Sequence, residues 1–220
     1  MTELPLSISV ATKDGICVRM LERGTKVPAS ASRVFTAGRF LPSAVMAEIV
    51  MGERTWAKDN KRIKKVRVGG IKKSAGGIAR ITLKTEVLED GTLLIELFDS
   101  GSHHKSRKKI RPEKWVPEPE TVEAAVKDAE EHYDDDRRID ANCRIAGKAR
   151  KAILIVDSLN RADRKKITEE EWKTIREKTG DLKKRIKVRP SDLSEVDSKI
   201  IQEEISGIMK TLEKIDSPIS

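Results

Sequence analysis

The chain is poor in aromatic residues, which make up 3% of its 220 positions and include a single tyrosine, and it has two cysteines, Cys17 and Cys143. Two thiols so far apart, each without a close-spaced partner, exclude a disulfide framework and a four-cysteine zinc site. A reducing compartment fits them, and a cytoplasmic location is expected. Long hydrophobic runs are also missing. The most apolar short stretch, Ala152 to Val156, falls far short of the roughly 20 residues that span a bilayer. Met1 to Val10 lacks the basic start and apolar core of a signal segment. No membrane partner is expected.

What the chain has in abundance is charge, 37% of its residues, matched by 37% apolar residues. A domain of roughly 100–150 residues buries enough surface to stand without crosslinks, so one or two folded domains are expected. The charge is unevenly shared. Residues 1–116 hold 23 Lys and Arg against 12 Asp and Glu, whereas residues 117–220 hold 22 against 24. The basic excess belongs to the first half alone.

From Leu6 to Arg111 short pieces rich in Val, Ile, Thr and Leu are separated by turn signals every eight to twelve residues. That pattern predicts an all-β sandwich. Ile16–Met20 and Arg80–Lys84 alternate apolar with polar residues, so each has one apolar face. Leu6–Thr12, Arg33–Ala37, Ala44–Met51, Lys65–Val68, Thr92–Asp99 and Ser106–Arg111 complete a set of eight predicted strands. After Pro112, Pro117 and Pro119 apolar residues recur at helical spacing instead. Val122, Ala125, Val126 and Ala129 open one helix, and Ile139, Cys143, Ala146, Ala149, Ile153 and Val156 form the stripe of a long second. Thr168 with Glu171 is a capping box for a third helix carrying Trp172, Ile175, Leu182 and Ile186 inward. A fourth follows Pro190-Ser191, with Ile201, Ile205, Ile208, Met209 and Leu212 on one face. The expected class is α+β, an antiparallel two-layer sandwich of about eight strands over residues 1–116 followed by a helical domain over 117–220.

Catalytic patterns are few. Gly69-Gly70-Ile71-Lys72-Lys73-Ser74-Ala75-Gly76-Gly77 matches neither phosphate-binding glycine fingerprint and reads as a turn. His103-His104 has no Cys, Asp or Glu at ligand spacing, and Asp134-Asp135-Asp136 lacks the glycine and terminal glutamate of a calcium loop. The acidic triplet reads as a charged face or joint of helices. No nucleophile elbow surrounds any serine. Neither an enzyme nor a cofactor is expected. Lys61–Arg67 and Lys105–Arg111 supply the positive charge that phosphate binding requires, but stacking rings are scarce, so nucleic acid is not the expected partner. Protection of strand edges explains the same lysines and arginines.

Leu4-Pro5-Leu6-Ser7-Ile8, Val27-Pro28 followed by Arg33-Val34-Phe35-Thr36, Met51-Gly52-Glu53-Arg54 with Ala57-Lys58-Asp59-Asn60-Lys61, and Glu89-Asp90-Gly91-Thr92-Leu93 occur in an order and spacing of their own. They resemble the peptide-binding domain of the seventy-kilodalton heat-shock (DnaK-type) chaperones. The resemblance covers residues 4–111 well and the helical half more loosely, as that family's lid. It implies a sandwich whose loops hold an extended hydrophobic segment of an unfolded client, with an ATPase domain or cochaperones as further partners. Carried over position by position, it places Val10, Thr12, Phe35, Val45, Ala47, Ile81 and Leu83 around the peptide, with Val45 at the floor of the central pocket. Small and β-branched walls suit one Leu or Ile side chain, while backbone groups satisfy the peptide's own N–H and C=O. Alternation alone reads the same residues as the inward half of a sandwich core.

Some positions depart from that family. The two residues that arch over its peptide correspond to Lys13 and Gly38, and its charged lid latch corresponds to Phe40 and Gly76, with no acid in Gly147–Ile155 to answer it. An open arch, a lost ionic latch and rapid peptide exchange are expected. Lys13 and Arg39 beside the slot favour acidic or neutral peptide flanks. The family's ATPase domain and interdomain linker do not precede Leu4, so either an excised piece of a longer chaperone or a free-standing derivative is expected. The alternative to peptide binding is a scaffold whose basic sandwich docks an acidic partner or nucleic acid.

Overall fold

The computed structural model describes residues 2–12, 14–37, 44–72 and 79–216, which divide into two compact units, Met1–Asp136 and Arg137–Ser220. The first is built from eight strands: β1 (Ile8–Ala11), β2 (Cys17–Leu21), β3 (Ala29–Ala37), β4 (Ala44–Met51), β5 (Lys61–Gly69), β6 (Ala79–Val87), β7 (Leu93–Asp99) and β8 (Lys105–Ile110). They form two antiparallel four-stranded sheets, in the orders β2-β1-β4-β5 and β3-β6-β7-β8. Period-two patterning drives the layering. In β6, Ile81, Leu83, Thr85 and Val87 are at most 2% exposed, while Arg80 before them and Lys84 between them face solvent. One apolar cluster joins both sheets, from Ile8, Val10 and Ile49 on one side to Leu83, Leu93 and Ile95 on the other, with Trp115 closing it and donating its indole N–H to the Gly91 carbonyl at 3.1 Å.

The strand number follows the alternation read from the sequence, but three strands reach further, among them β6, which runs on from Lys84 to Val87. β3 begins at Ala29, and β5 begins at Lys61, four residues before its apolar alternation. The extra basic residues pair across a bulge between Ile49 and Val50, which sets Arg62 opposite Val50 and Lys61 opposite Met51. An edge strand accepts charged positions that a central strand would reject, because it has a sheet neighbour on one side only.

Helix α1 (Pro119–Glu131) starts with proline at its first position, where the missing N–H costs nothing, and packs Val122, Ala125 and Val126 on the sandwich core. The compact-unit boundary at Asp136 therefore falls later than the change of sequence period at Pro117. Helix α2 (Tyr133–Ser158) crosses that boundary. The second unit contains the rest of α2, a short α3 (Arg161–Arg164), α4 (Glu169–Arg185) and α5 (Glu195–Asp216). The Thr168–Glu171 capping box forms as expected, with the Thr168 hydroxyl accepting the Glu171 N–H at 3.1 Å. Ala149, Ala152, Ile175, Leu182, Ile201 and Ile208 make the core of this unit, and Met209, expected on the buried face of α5, is 38% exposed at its margin. Asn142 donates to the carbonyls of Pro190 and Leu193 and accepts the Ser198 hydroxyl, so a buried amide fastens the turn before α5.

Within the sandwich, buried Asp99 organises the turn after β7. Its carboxylate accepts the N–H groups of Lys72 and Ser102 at 3.0 and 2.9 Å and the Ser102 hydroxyl at 2.5 Å. Burial by itself would raise its pKa, but these donors together hold it below the ordinary value. A depressed pKa means stability that is present above about pH 3.8, the unfolded value, and is lost as pH falls through the folded one. Asp99→Asn is expected to cost about 2 kcal/mol at pH 7, from weakened charge-assisted bonds. In urea titrations the gap from wild type should narrow steadily below pH 4, roughly the carboxylate range.

Candidate functional site

Val10, Ala47, Ile81 and Leu83 lie in the core cluster at no more than 6% exposure, and Phe35 and Val45 are part-buried against it. They come from β1, β3, β4 and β6, hence from both sheets. Val10 stands opposite Ile49, Val45 opposite Val68, Ala47 opposite Val66 and Phe35 opposite Ile81. Thr12 lies outside the cluster, at the entry to the β1–β2 turn, where its hydroxyl accepts the Ile16 N–H at 3.3 Å and its own N–H donates to the Ile16 carbonyl at 2.8 Å. Phe35 and Val45 border the β3–β4 connection, so one part-buried margin of the cluster adjoins it. Val34 and Met46, their neighbours in sequence, are 61% and 62% exposed. These two apolar side chains were not singled out from the sequence, since alternation assigns them to the polar face. Lys13, Gly38, Arg39, Phe40 and Gly76 lie outside the described residues.

The motif residues that carry the resemblance build a different place, at the connection between β4 and β5. Glu53 accepts the Ser7 N–H at 2.7 Å and the Ser7 hydroxyl at 3.0 Å, tying this connection to the start of β1. Asn60 folds the connection on itself. Its side-chain amide donates to the carbonyls of Arg54 and Trp56 at 2.8 and 2.7 Å, and its oxygen accepts the Arg54 N–H at 3.1 Å. Gly52 has a φ of +148°, and a Cβ there would collide with the Asn60 side chain, so the clamp requires glycine.

Arg54 itself reaches the helices of the first unit. Its Nη1 donates to Asp128 Oδ2 at 2.8 Å, near the end of α1, and its Nε to Asp136 Oδ2 at 3.0 Å, in the first turn of α2. Asp136 also accepts the Thr55 N–H at 2.8 Å. Burial works against the Arg54 charge, but the two carboxylates outweigh it and raise its pKa; in turn the Arg54 guanidinium holds the Asp128 carboxyl below its usual range. Within the acidic triplet, read in sequence as a charged joint, Asp136 is the buried anchor at 8% exposure. Its neighbours Asp134 and Asp135 are exposed, and nothing in sequence separates the three. A cavity of about 320 Å³ opens beside this network between Leu6, Met51, Pro117 and Ala125, away from every slot residue named above.

Among the described residues no group of three His, Cys, Asp or Glu side chains gathers as a metal site. His103 and His104 are exposed, with His104 Nδ1 3.0 Å from the Gly69 carbonyl. Cys17 packs beneath the Asn60 clamp, whose amide donates to its Sγ at 3.4 Å. Burial pushes its thiol up to about 11, against the lowering by that bond and by Arg19. Since the thiolate is the nucleophile, Cys17 should resist iodoacetamide at pH 8 in the native protein and react once urea opens the sandwich. Peptide mapping by mass spectrometry reads this directly; native labelling of Cys17 at the denatured rate would show the clamp to be open in solution. A comparison with family models matches residues 3–214 to the one described as Hsp70 protein.

Proposed function

From the premise that this chain belongs to the Hsp70 family, we propose that its β unit holds extended hydrophobic segments of unfolded client polypeptides. Membership carries a chaperone-related role in general, with client or cochaperone interactions. One observation supports the narrower reading: Val10, Ala47, Ile81 and Leu83 from both sheets converge with part-buried Phe35 and Val45, the pair that borders the β3–β4 connection. A cluster that ends in incompletely covered, β-branched and aromatic side chains offers an apolar seat for one leucine or isoleucine of a client. In this reading the chain is the substrate-binding part of such a chaperone, with residues 1–116 as the peptide-binding domain and the helices of 117–220 as the lid, and it acts in the cytoplasm without hydrolysing nucleotide itself.

Fluorescence anisotropy with a labelled short peptide carrying a central leucine tests the reading. Saturable binding that is lost when the leucine is replaced by serine is expected. An affinity unaffected by that replacement, or no binding at all, would show that the cluster is packed core only.

A further inference from the structure

We propose that the side of the sandwich where β5 and β8 meet is a binding surface for duplex nucleic acid, separate from the peptide seat. The two strands are the outer strands of their respective sheets, and they pack against each other. Two basic runs far apart in sequence thereby become one surface. From β5 it takes the exposed Lys61, Arg62, Lys64, Lys65 and Arg67; from β8 it takes the exposed Lys105, Arg107, Lys108 and Lys109. Few acids answer them. Glu48 pairs with Arg62 and Lys65 at 3.7 and 3.3 Å, and Glu96 pairs with Lys105 at 2.9 Å. Asp90, whose carboxyl is lowered mainly by Thr92, also feels Lys109. Lys61, Lys64, Arg67, Arg107 and Lys108 have no carboxylate within ion-pair distance among the described residues.

Edge protection accounts for charge on each strand separately, whereas the packing of β5 against β8 gathers the two runs on one side of the sandwich. The choice of polyanion follows from energetics. An exposed ion pair with a flexible acidic polypeptide is worth about 0–1 kcal/mol and must order two side chains, so a row of such pairs accumulates little affinity. A duplex holds its phosphates at fixed, high density with condensed counterions, and every phosphate neutralised releases some of them. Each lysine or arginine that neutralises a duplex phosphate therefore gains counterion release as well as the ion pair itself. Scarcity of aromatic residues counts against single strands, which need stacking platforms, but not against a duplex gripped through its backbone. The recognition is accordingly independent of base sequence and steeply dependent on salt.

The test measures anisotropy of a labelled DNA duplex of about twenty base pairs against the full chain between roughly 50 and 200 mM salt. Three proteins are compared: wild type, a seam variant combining Lys64→Gln, Arg67→Gln, Arg107→Gln and Lys108→Gln, and a control combining Lys148→Gln, Lys151→Gln, Lys173→Gln and Lys199→Gln. All eight side chains are exposed, and both variants lose the same formal charge. Wild type should bind with a linear fall of log affinity against log salt. The seam variant should bind at least about tenfold more weakly with a slope shallower by roughly three, while the control stays near wild type. No binding by wild type at the lowest salt, or equal losses in both variants, would overturn the proposal. So would polyglutamate displacing the duplex at a lower charge concentration than unlabelled duplex, which would make the surface one for acidic polypeptides. Leucine-centred peptide binding, measured on the same three proteins, should not change, so failure here leaves the peptide reading standing and the reverse also holds.

Discussion

Replacing Arg54 with methionine should lower the stability of the β unit by about 3–5 kcal/mol, the cost of removing one partner from a buried ion pair. The weight of this loss lies on Asp136. Its side chain is 11% exposed, and without the guanidinium the carboxylate keeps the Thr55 N–H as its described partner in a place water scarcely reaches. Asp128, at 44% exposure, contributes little by comparison, because solvent screens it. Methionine retains most of the buried stem, so the effect reports charge and hydrogen bonding and not a cavity. Arg54→Lys should recover only part of the loss, since an ammonium cannot make the forked contact to two carboxylates. Arg19→Met is the comparison: Arg19 also bonds this connection, through the Glu53 carbonyl at 3.1 Å, but is 48% exposed, and its loss should cost less than about 1 kcal/mol. Urea unfolding of the three variants gives the order, and hydrogen exchange at the Thr55 amide should quicken most in Arg54→Met. A depressed Asp128 pKa adds stability that exists above about pH 3.8 and disappears as pH falls through the folded value, so the difference between wild type and Arg54→Met should shrink in acid. Equal stability of Arg54→Met and wild type at neutral pH would mean that the network does not hold in solution.

Val45→Phe should abolish client-peptide binding, lowering affinity at least tenfold, which is about 1.4 kcal/mol. Val45 is part-buried at the start of β4, opposite Val68, and the proposed seat requires the space above it for a leucine side chain. A phenyl ring would fill that space. If Val45 is instead fully enclosed by its neighbours in solution, the same ring overpacks the sandwich and costs roughly 1–3 kcal/mol of stability. The two outcomes separate cleanly when peptide anisotropy and urea unfolding are measured on one preparation. Lost binding with an unchanged midpoint supports the seat. A lowered midpoint with unchanged peptide affinity places Val45 in ordinary core and removes it from the site. Val45→Ala, which enlarges the seat, should keep binding and shift preference toward larger central residues.

The division of the chain into a β part and a helical part was legible because both signals are local. Alternation in Arg80–Lys84 and the Thr168–Glu171 capping box depend on neighbours within one or a few residues, and the structure forms both. The beginning of β5 was not legible, because Lys61 and Arg62 carry no apolar alternation and join the sheet only by pairing with β4. For the slot residues the sequence supplied two readings of the same side chains. Val10, Ala47, Ile81 and Leu83 are apolar on an inward face under either of them, and the structure gathers them in one cluster.

By itself the sequence determined the eight strands, the helical second half, the family and the surplus of positive charge in residues 1–116, since composition, periodicity and motif spacing are properties of the chain alone. It also marked Gly52, Glu53, Arg54 and Asn60 as special, but not what they do. Tertiary structure decided that Asn60 closes on Gly52, that Asp136 and not Asp134 or Asp135 receives Arg54, and that β5 and β8, the strands carrying two distant basic runs, pack together. The reason is common to all three. Each depends on a partner many residues away, and which partner arrives is set by strand order and helix packing, which bring together residues that no local pattern connects.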